Sequence, residues 1–98
     1  MQFYVLEGIF RTRLPENTSL EPVIDAHLAY LSAGFQDGSI LFSGPRSDGK
    51  GGGVIAIKSN DIQAFCQNDP LVQAGIQEYR ITEFDLYNCQ ESIRSWFV

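Results

Sequence analysis

Cationic side chains are scarce in this chain. Seven Lys and Arg stand against twelve Asp and Glu, for a net charge of −5. A predominantly acidic surface repels phosphate backbones, which argues against sequence-independent nucleic-acid binding. Histidine occurs once and cysteine twice, at Cys66 and Cys89, without C-x-x-C spacing. That is too thin a ligand set for a zinc site, so no metal is expected. No apolar run approaches the ~20 residues that span a bilayer, so no membrane partner is expected. The opening stretch MQFYVLEGIF lacks a basic region and a small-residue cleavage site, and so does not read as a signal peptide. Two isolated thiols without such a signal fit the reducing cytoplasm, which is the expected location. Internal repeats, low-complexity tracts and linkers are also missing.

What is present is an ordinary globular composition. The chain has 98 residues, 44% of them hydrophobic and 19% charged. That is enough for one core and one domain over 1–98. Met1–Phe10 is rich in aromatic and β-branched residues and reads as a strand. RTRLPENTS follows as a connection, with Thr18 or Ser19 placed to cap a helix. Leu20, Val23, Ile24, Leu28, Leu31 and Phe35 recur at spacings of three and four, which predicts a helix over Leu20–Phe35 with one apolar stripe. Strands are expected at Ser39–Ser43 and Gly53–Lys58. A short helix lies in SNDIQAFCQND, capped by Ser59 or Asn60 and stopped at Asp69 by the following Pro70. Ile76–Phe84 completes the set as a fourth strand. The tail, Asp85–Val98, reads as a turn and a short helix carrying Ile93, Trp96 and Phe97.

The order β-α-β-β-α-β is the split βαβ pattern of the ferredoxin-like fold, an α+β class. It places two helices on one face of a four-stranded antiparallel sheet. Yet the two strands expected at the centre are apolar on both sides. Phe3 and Val5 oppose Tyr4 and Leu6, and Val54 and Ala56 oppose Ile55 and Ile57. Such strands call for burial on both faces. The simplest cover is a second copy, sheet against sheet, with Trp96 and Phe97 joining the interface. The alternative is that the tail folds back over the open face.

The stretch SGPRSDGKGGG, Ser43–Gly53, carries most of a P-loop, but Lys50 is followed by Gly51 and not by Ser or Thr. A strand comes next, so no helix N-terminus is available for a phosphate. Asp48–Gly53 therefore reads as a mobile hairpin connection. Gly44 and Pro45, at the exit of the second strand, read instead as a rigid turn forming a pocket wall. Arg46 and Lys50 are candidates for attracting an anion.

The single histidine falls within the apolar stripe. At 100° per residue, His27 lies between Val23, Ile24 and Leu31. Read by position alone, it is a core histidine bonded to a carbonyl. Antiparallel packing of the two helices brings the end of the second beside the start of the first, and with it Asp69. Either Asp69 meets His27 in a cleft with Ser43, Gly44 and Pro45, or it merely braces a loop. In the first case a carboxylate fixes the imidazole tautomer and stabilises the imidazolium, which suits proton transfer.

AHLAYLSAGFQDGSILFSGP and the later DPLVQAG resemble the YciI-like (YCII-related) family over nearly the whole chain to about Phe84. The resemblance implies a core over 1–84, a ferredoxin-like subunit in a dimeric α/β barrel, and an active site on a His–Asp pair. By motif that pair is His27 and Asp69, beside Gly44 and Pro45. A chlorinated-muconolactone dehydrochlorinase is similar to this family, and the wider superfamily includes muconolactone isomerases and small monooxygenases.

Two function classes follow. One is a cofactor-free enzyme, a lyase or isomerase. There His27 moves a proton on a small organic acid or lactone, Asp69 orients the ring, and Ser43, Gly44, Pro45 and Arg46 bind the substrate. The other is a non-catalytic homodimeric module that binds a small ligand or a protein.

Overall fold

The computed structural model describes residues 1–15 and 19–98. Strand β1 runs Gln2–Phe10, helix α1 Leu20–Gln36, β2 Ile40–Pro45, β3 Gly53–Ser59, α2 Ile62–Gln67, α3 Pro70–Gln73 and β4 Gln77–Phe84. A 3-10 helix, Glu91–Phe97, closes the chain. The sheet order is β2-β3-β1-β4, antiparallel throughout. This is the ferredoxin-like arrangement, with β1 and β3 central. No helix among the described residues is long and apolar enough to cross a membrane.

Each element follows from local chemistry. Pro22 sits in the first turn of α1, where its missing N–H costs nothing. Ser19 occupies the N-cap without a side-chain bond; Thr18 lies outside the described residues. At the other end Asp37 accepts a hydrogen bond from the Ser39 N–H at 2.8 Å, and the Ser39 hydroxyl first and this N–H second hold the carboxyl below its ordinary pKa. Helix α2 is capped by Asp61, whose side chain accepts from the Ala64 N–H. Ser59 contributes one step earlier, taking the Asp61 N–H on its hydroxyl at 3.0 Å. The helix stops at Gln67, and Pro70 starts a separate turn of helix that periodicity had not revealed.

The core lies between the helices and one sheet face. Tyr4 and Leu6 of β1 pack with Ile55 and Ile57 of β3, Leu31 of α1, Ile40 of β2, and Ile62 and Cys66 of α2. The α1 stripe is only partly buried: Leu28 is 57% exposed and Phe35 45%. Helix and sheet meet instead at Gly34, where a Cβ would stand 2.4 Å from the Ile40 side chain. That close approach anchors one end of α1, while Leu28 borders the pocket described below.

A bulge interrupts the β2–β3 register between Ile40 and Phe42. Ile40 pairs with Ile57 on the helix side, but Phe42 pairs with Ala56 and turns to the opposite face. The extra residue then puts Ser43 and Pro45, opposite Ile55 and Gly53, back on the helix side. Gly44 and Pro45, expected in a turn, are therefore strand residues. The connection after them is closed by the Arg46 N–H donating to the Gly52 carbonyl at 3.2 Å. Gly52 has a φ of +79°, and a Cβ there would stand 2.0 Å from the Gly8 carbonyl oxygen. The glycine run is thus fitted against β1.

On the open face the tail covers one end. Trp96 and Phe97 pack on Phe3 at centroid distances of 5.7 and 5.0 Å, and Phe97 lies 6.4 Å from Phe84. Lys58 fastens the tail: its Nζ donates to the Trp96 carbonyl at 2.7 Å and lies over the indole ring. Trp96 Nε1 donates to the Gly38 carbonyl at 2.9 Å. Away from the tail, Phe42 remains 52% exposed.

Candidate functional site

Asp69 is fixed first by its own backbone. Pro70 restricts it to extended geometry, φ −66° and ψ 128°, which is also the geometry of a helix N-cap. Its Oδ1 accepts the Leu71 N–H at 2.9 Å and so begins α3. The side chain is wholly buried. A buried carboxylate needs several donors, and Asp69 has three. Besides Leu71 N–H, the Tyr79 hydroxyl donates to Oδ2, and His27 Nδ1 lies 2.9 Å from both oxygens.

His27 comes from α1 and faces the sheet, its side chain 15% exposed. An ionised carboxylate only accepts, so the proton of a neutral ring resides on Nδ1 and the lone pair on Nε2. Nε2 makes no hydrogen bond among the described residues and belongs to a ring that lines a pocket.

The pocket has a volume of about 380 Å³. Its walls are largely apolar, from Ile24, Leu28 and Leu31 of α1, Phe10 of β1 and Leu71 of α3. Ser43, Gly44 and Pro45 form one edge, as the bulge in β2 allows, and Gly52 and Gly53 lie beside them. Gln77 and Tyr79, on the helix side of β4, complete it.

The electrostatics centre on Asp69. Burial pushes the Tyr79 phenol far above its ordinary value, the hydrogen bond to Asp69 and that carboxylate's charge add to the rise, and the Gln77 amide works against it. Burial and the same charge push the Cys66 thiol up to about 11. The phenol stays a neutral donor and the thiol an inert core group near neutrality.

The expected constellation can now be located. His27 and Asp69 are in contact, and Ser43, Gly44 and Pro45 line the same pocket. Arg46 does not reach it: its guanidinium pairs with Asp48 at 2.7 Å and borders a separate shallow groove. Lys50 is likewise absent from the lining. Sequence reasoning missed Tyr79 and Gln77, since alternation places both on one strand face but does not show what they touch. No group of three or more His, Cys, Asp or Glu side chains gathers in a metal-holding arrangement among the described residues.

Comparison with curated proteins finds no match. Comparison with protein families matches residues 2–85 to the YCII-related domain. The match takes in β1 through β4 and with them His27 and Asp69, while the 3-10 helix lies beyond it. The chain therefore belongs to the YCII-related family.

Proposed function

We propose that this chain is a small-molecule enzyme in which His27 Nε2 takes a proton from carbon next to a carbonyl group. In an elimination, the C–H electron pair becomes the new double bond, a leaving group departs with its own pair, and the proton passes from the imidazolium to solvent. In an isomerisation the same proton returns to a different carbon. Asp69 holds the ring in the required tautomer and faces the positive charge that forms on it. Tyr79 and the Leu71 N–H hold Asp69. Small organic acids and lactones are the substrate class, resting against the Ser43–Pro45 edge. The observation that carries this reading is one imidazole braced by a wholly buried carboxylate at the wall of an apolar pocket.

The working unit is a cytoplasmic homodimer in this proposal. Val5, Ile9 and Val54 lie on the sheet face away from the helices, along with the exposed Phe42, and the tail covers only the Phe3 end. A second copy would bury what remains.

A binding module without chemistry is favoured by one observation: apart from His27, the pocket lining among the described residues holds no Asp, Glu, Lys, Arg or Cys, and its Tyr79 phenol is held neutral. A panel of small lactones and carboxylates, followed by NMR for proton exchange and product, decides between the two. Turnover by the wild type that His27→Ala abolishes, with the fold intact, supports the enzyme. Ligand binding without turnover, or turnover unchanged in the variant, rejects it.

A further inference from the structure

Gln77 is 2% exposed, and its Nε2 has no hydrogen-bond partner among the described residues. Buried polar groups are nearly always paired, because leaving an amide donor dry is costly. The amide lies toward the Tyr79 hydroxyl closely enough to favour its ionised form by hydrogen bonding, but as the two groups stand Nε2 is not in hydrogen-bond geometry with it or with any other described group. The side chain also occupies a prepared place. Gly8 lies beneath it on the neighbouring strand, and a Cβ there would stand 2.6 Å from Gln77 Oε1. Gln77 lines the same pocket as His27.

The other lining side chains specify what this donor can bind. No Lys or Arg lines the pocket among the described residues, and Arg46 is turned away toward Asp48. The carboxylate of Asp69 stands behind the lining residues His27 and Tyr79. Such a site has a neutral donor and apolar walls but no resident cation, which disfavours a free carboxylate and suits an uncharged acceptor.

We infer that the Gln77 amide is the carbonyl anchor of this pocket, and that the ligand is a neutral carbonyl compound of lactone or ester type. The inference rests on the enzymatic reading above for its purpose, but not for its test. With the carbonyl oxygen on Gln77 Nε2, the carbon next to it is presented to His27, and the amide strengthens its bond as the oxygen gains negative charge.

The test uses dihydrocoumarin, chroman, which is the same ring system without the carbonyl, and the ring-opened hydroxy acid of dihydrocoumarin. Binding is followed by NMR, with the Gln77 side-chain amide labelled with nitrogen-15. In the wild type, dihydrocoumarin is expected to bind about tenfold more tightly than chroman, the order expected of one buried hydrogen bond. It should also bind more tightly than the hydroxy acid, and it should move the Gln77 amide resonances. Gln77→Met is expected to erase the preference over chroman while leaving the unliganded unfolding midpoint equal or higher, because an unpaired buried donor is gone. Gln77→Leu repeats the test should the methionine variant misfold. Gly8→Ala should weaken dihydrocoumarin binding with Gln77 intact.

Equal binding of dihydrocoumarin and chroman, or a preference that survives both Gln77 variants, overturns the anchor. Tighter binding of the hydroxy acid overturns the neutral ligand class. A lower midpoint with unchanged binding assigns Gln77 a structural role and overturns the proposal. The two readings fail separately. A Gln77-dependent preference without His27-dependent turnover keeps the anchor and removes the enzyme. Turnover through His27 with no effect of Gln77 does the reverse.

Discussion

His27 and Asp69, 42 residues apart in the chain, meet at 2.9 Å because the N-cap of a four-residue helix faces the inner side of α1. The same carboxylate caps α3, receives Tyr79 from β4 and holds the imidazole of α1. One side chain thus joins three elements, and its loss should be felt in stability as well as in chemistry.

Asp69→Ala leaves three donors, on His27, Tyr79 and Leu71, without their acceptor. Each donor stranded out of water costs about 1–3 kcal/mol, so the variant should lose at least ~3 kcal/mol. Urea unfolding measures it. A loss near zero would show that the carboxylate is not the junction described.

Tyr79 ties stability to high pH. Its phenol is raised above the ordinary value of 10.0, mainly by burial and then by Asp69. The unfolded chain releases this proton near pH 10, and the folded chain keeps it. The stabilisation is therefore complete below about pH 10 and is lost as pH rises beyond it. Subtracting the phenolate titration of Tyr79→Phe from that of the wild type isolates this residue. Its ionisation should appear only together with unfolding. Ionisation near pH 10 in the folded protein would contradict the burial.

The glycine run makes a paired prediction. Gly49 and Gly52 both have positive φ, +74° and +79°, but only at Gly52 would a Cβ meet backbone, 2.0 Å from the Gly8 carbonyl oxygen; at Gly49 it would meet nothing within 4 Å. Gly49→Ala should cost about 1–2 kcal/mol, the strain of a left-handed side chain. Gly52→Ala adds overpacking and should cost roughly 3 kcal/mol or more. Equal costs, read from thermal unfolding, would mean the loop is not seated on β1.

Trp96 tests the tail. Its ring packs on Phe3 and Phe97, and Lys58 lies over it. Trp96→Ala should cost about 2 kcal/mol, less than the ~3–5 kcal/mol of a fully buried tryptophan. The newly exposed rings should raise self-association in light scattering. The His27 pocket is on the other side of the sheet, so dihydrocoumarin affinity should not change. Unchanged stability would show that the tail is not docked.

Much of the architecture was legible because it rests on local patterns. The period of α1, the β-rich run at Met1–Phe10 and the Asp-Pro step before α3 are each set by neighbours in the chain. The motif around His27 and the Asp69–Pro70 pair marked the two residues now seen in contact. Less legible were features that depend on distant partners. The bulge at Leu41 turns Phe42 outward and brings Ser43 and Pro45 into the pocket, and nothing in ILFSGP announces it. The second-helix cap fell on Asp61 because its carboxylate reaches the Ala64 N–H.

Sequence alone determined the order of the four strands and the two main helices, the apolar core between them and the identity of the one histidine. These follow from composition and periodicity, which act over a few residues. Tertiary structure decided what surrounds that imidazole. Tyr79 and Gln77 are two polar residues on an alternating strand until β4 is paired with β1. Only then does one of them reach Asp69 and the other stand with an unpaired donor in the pocket wall. Contacts between residues far apart in sequence depend on register and helix packing, and no local spacing encodes either.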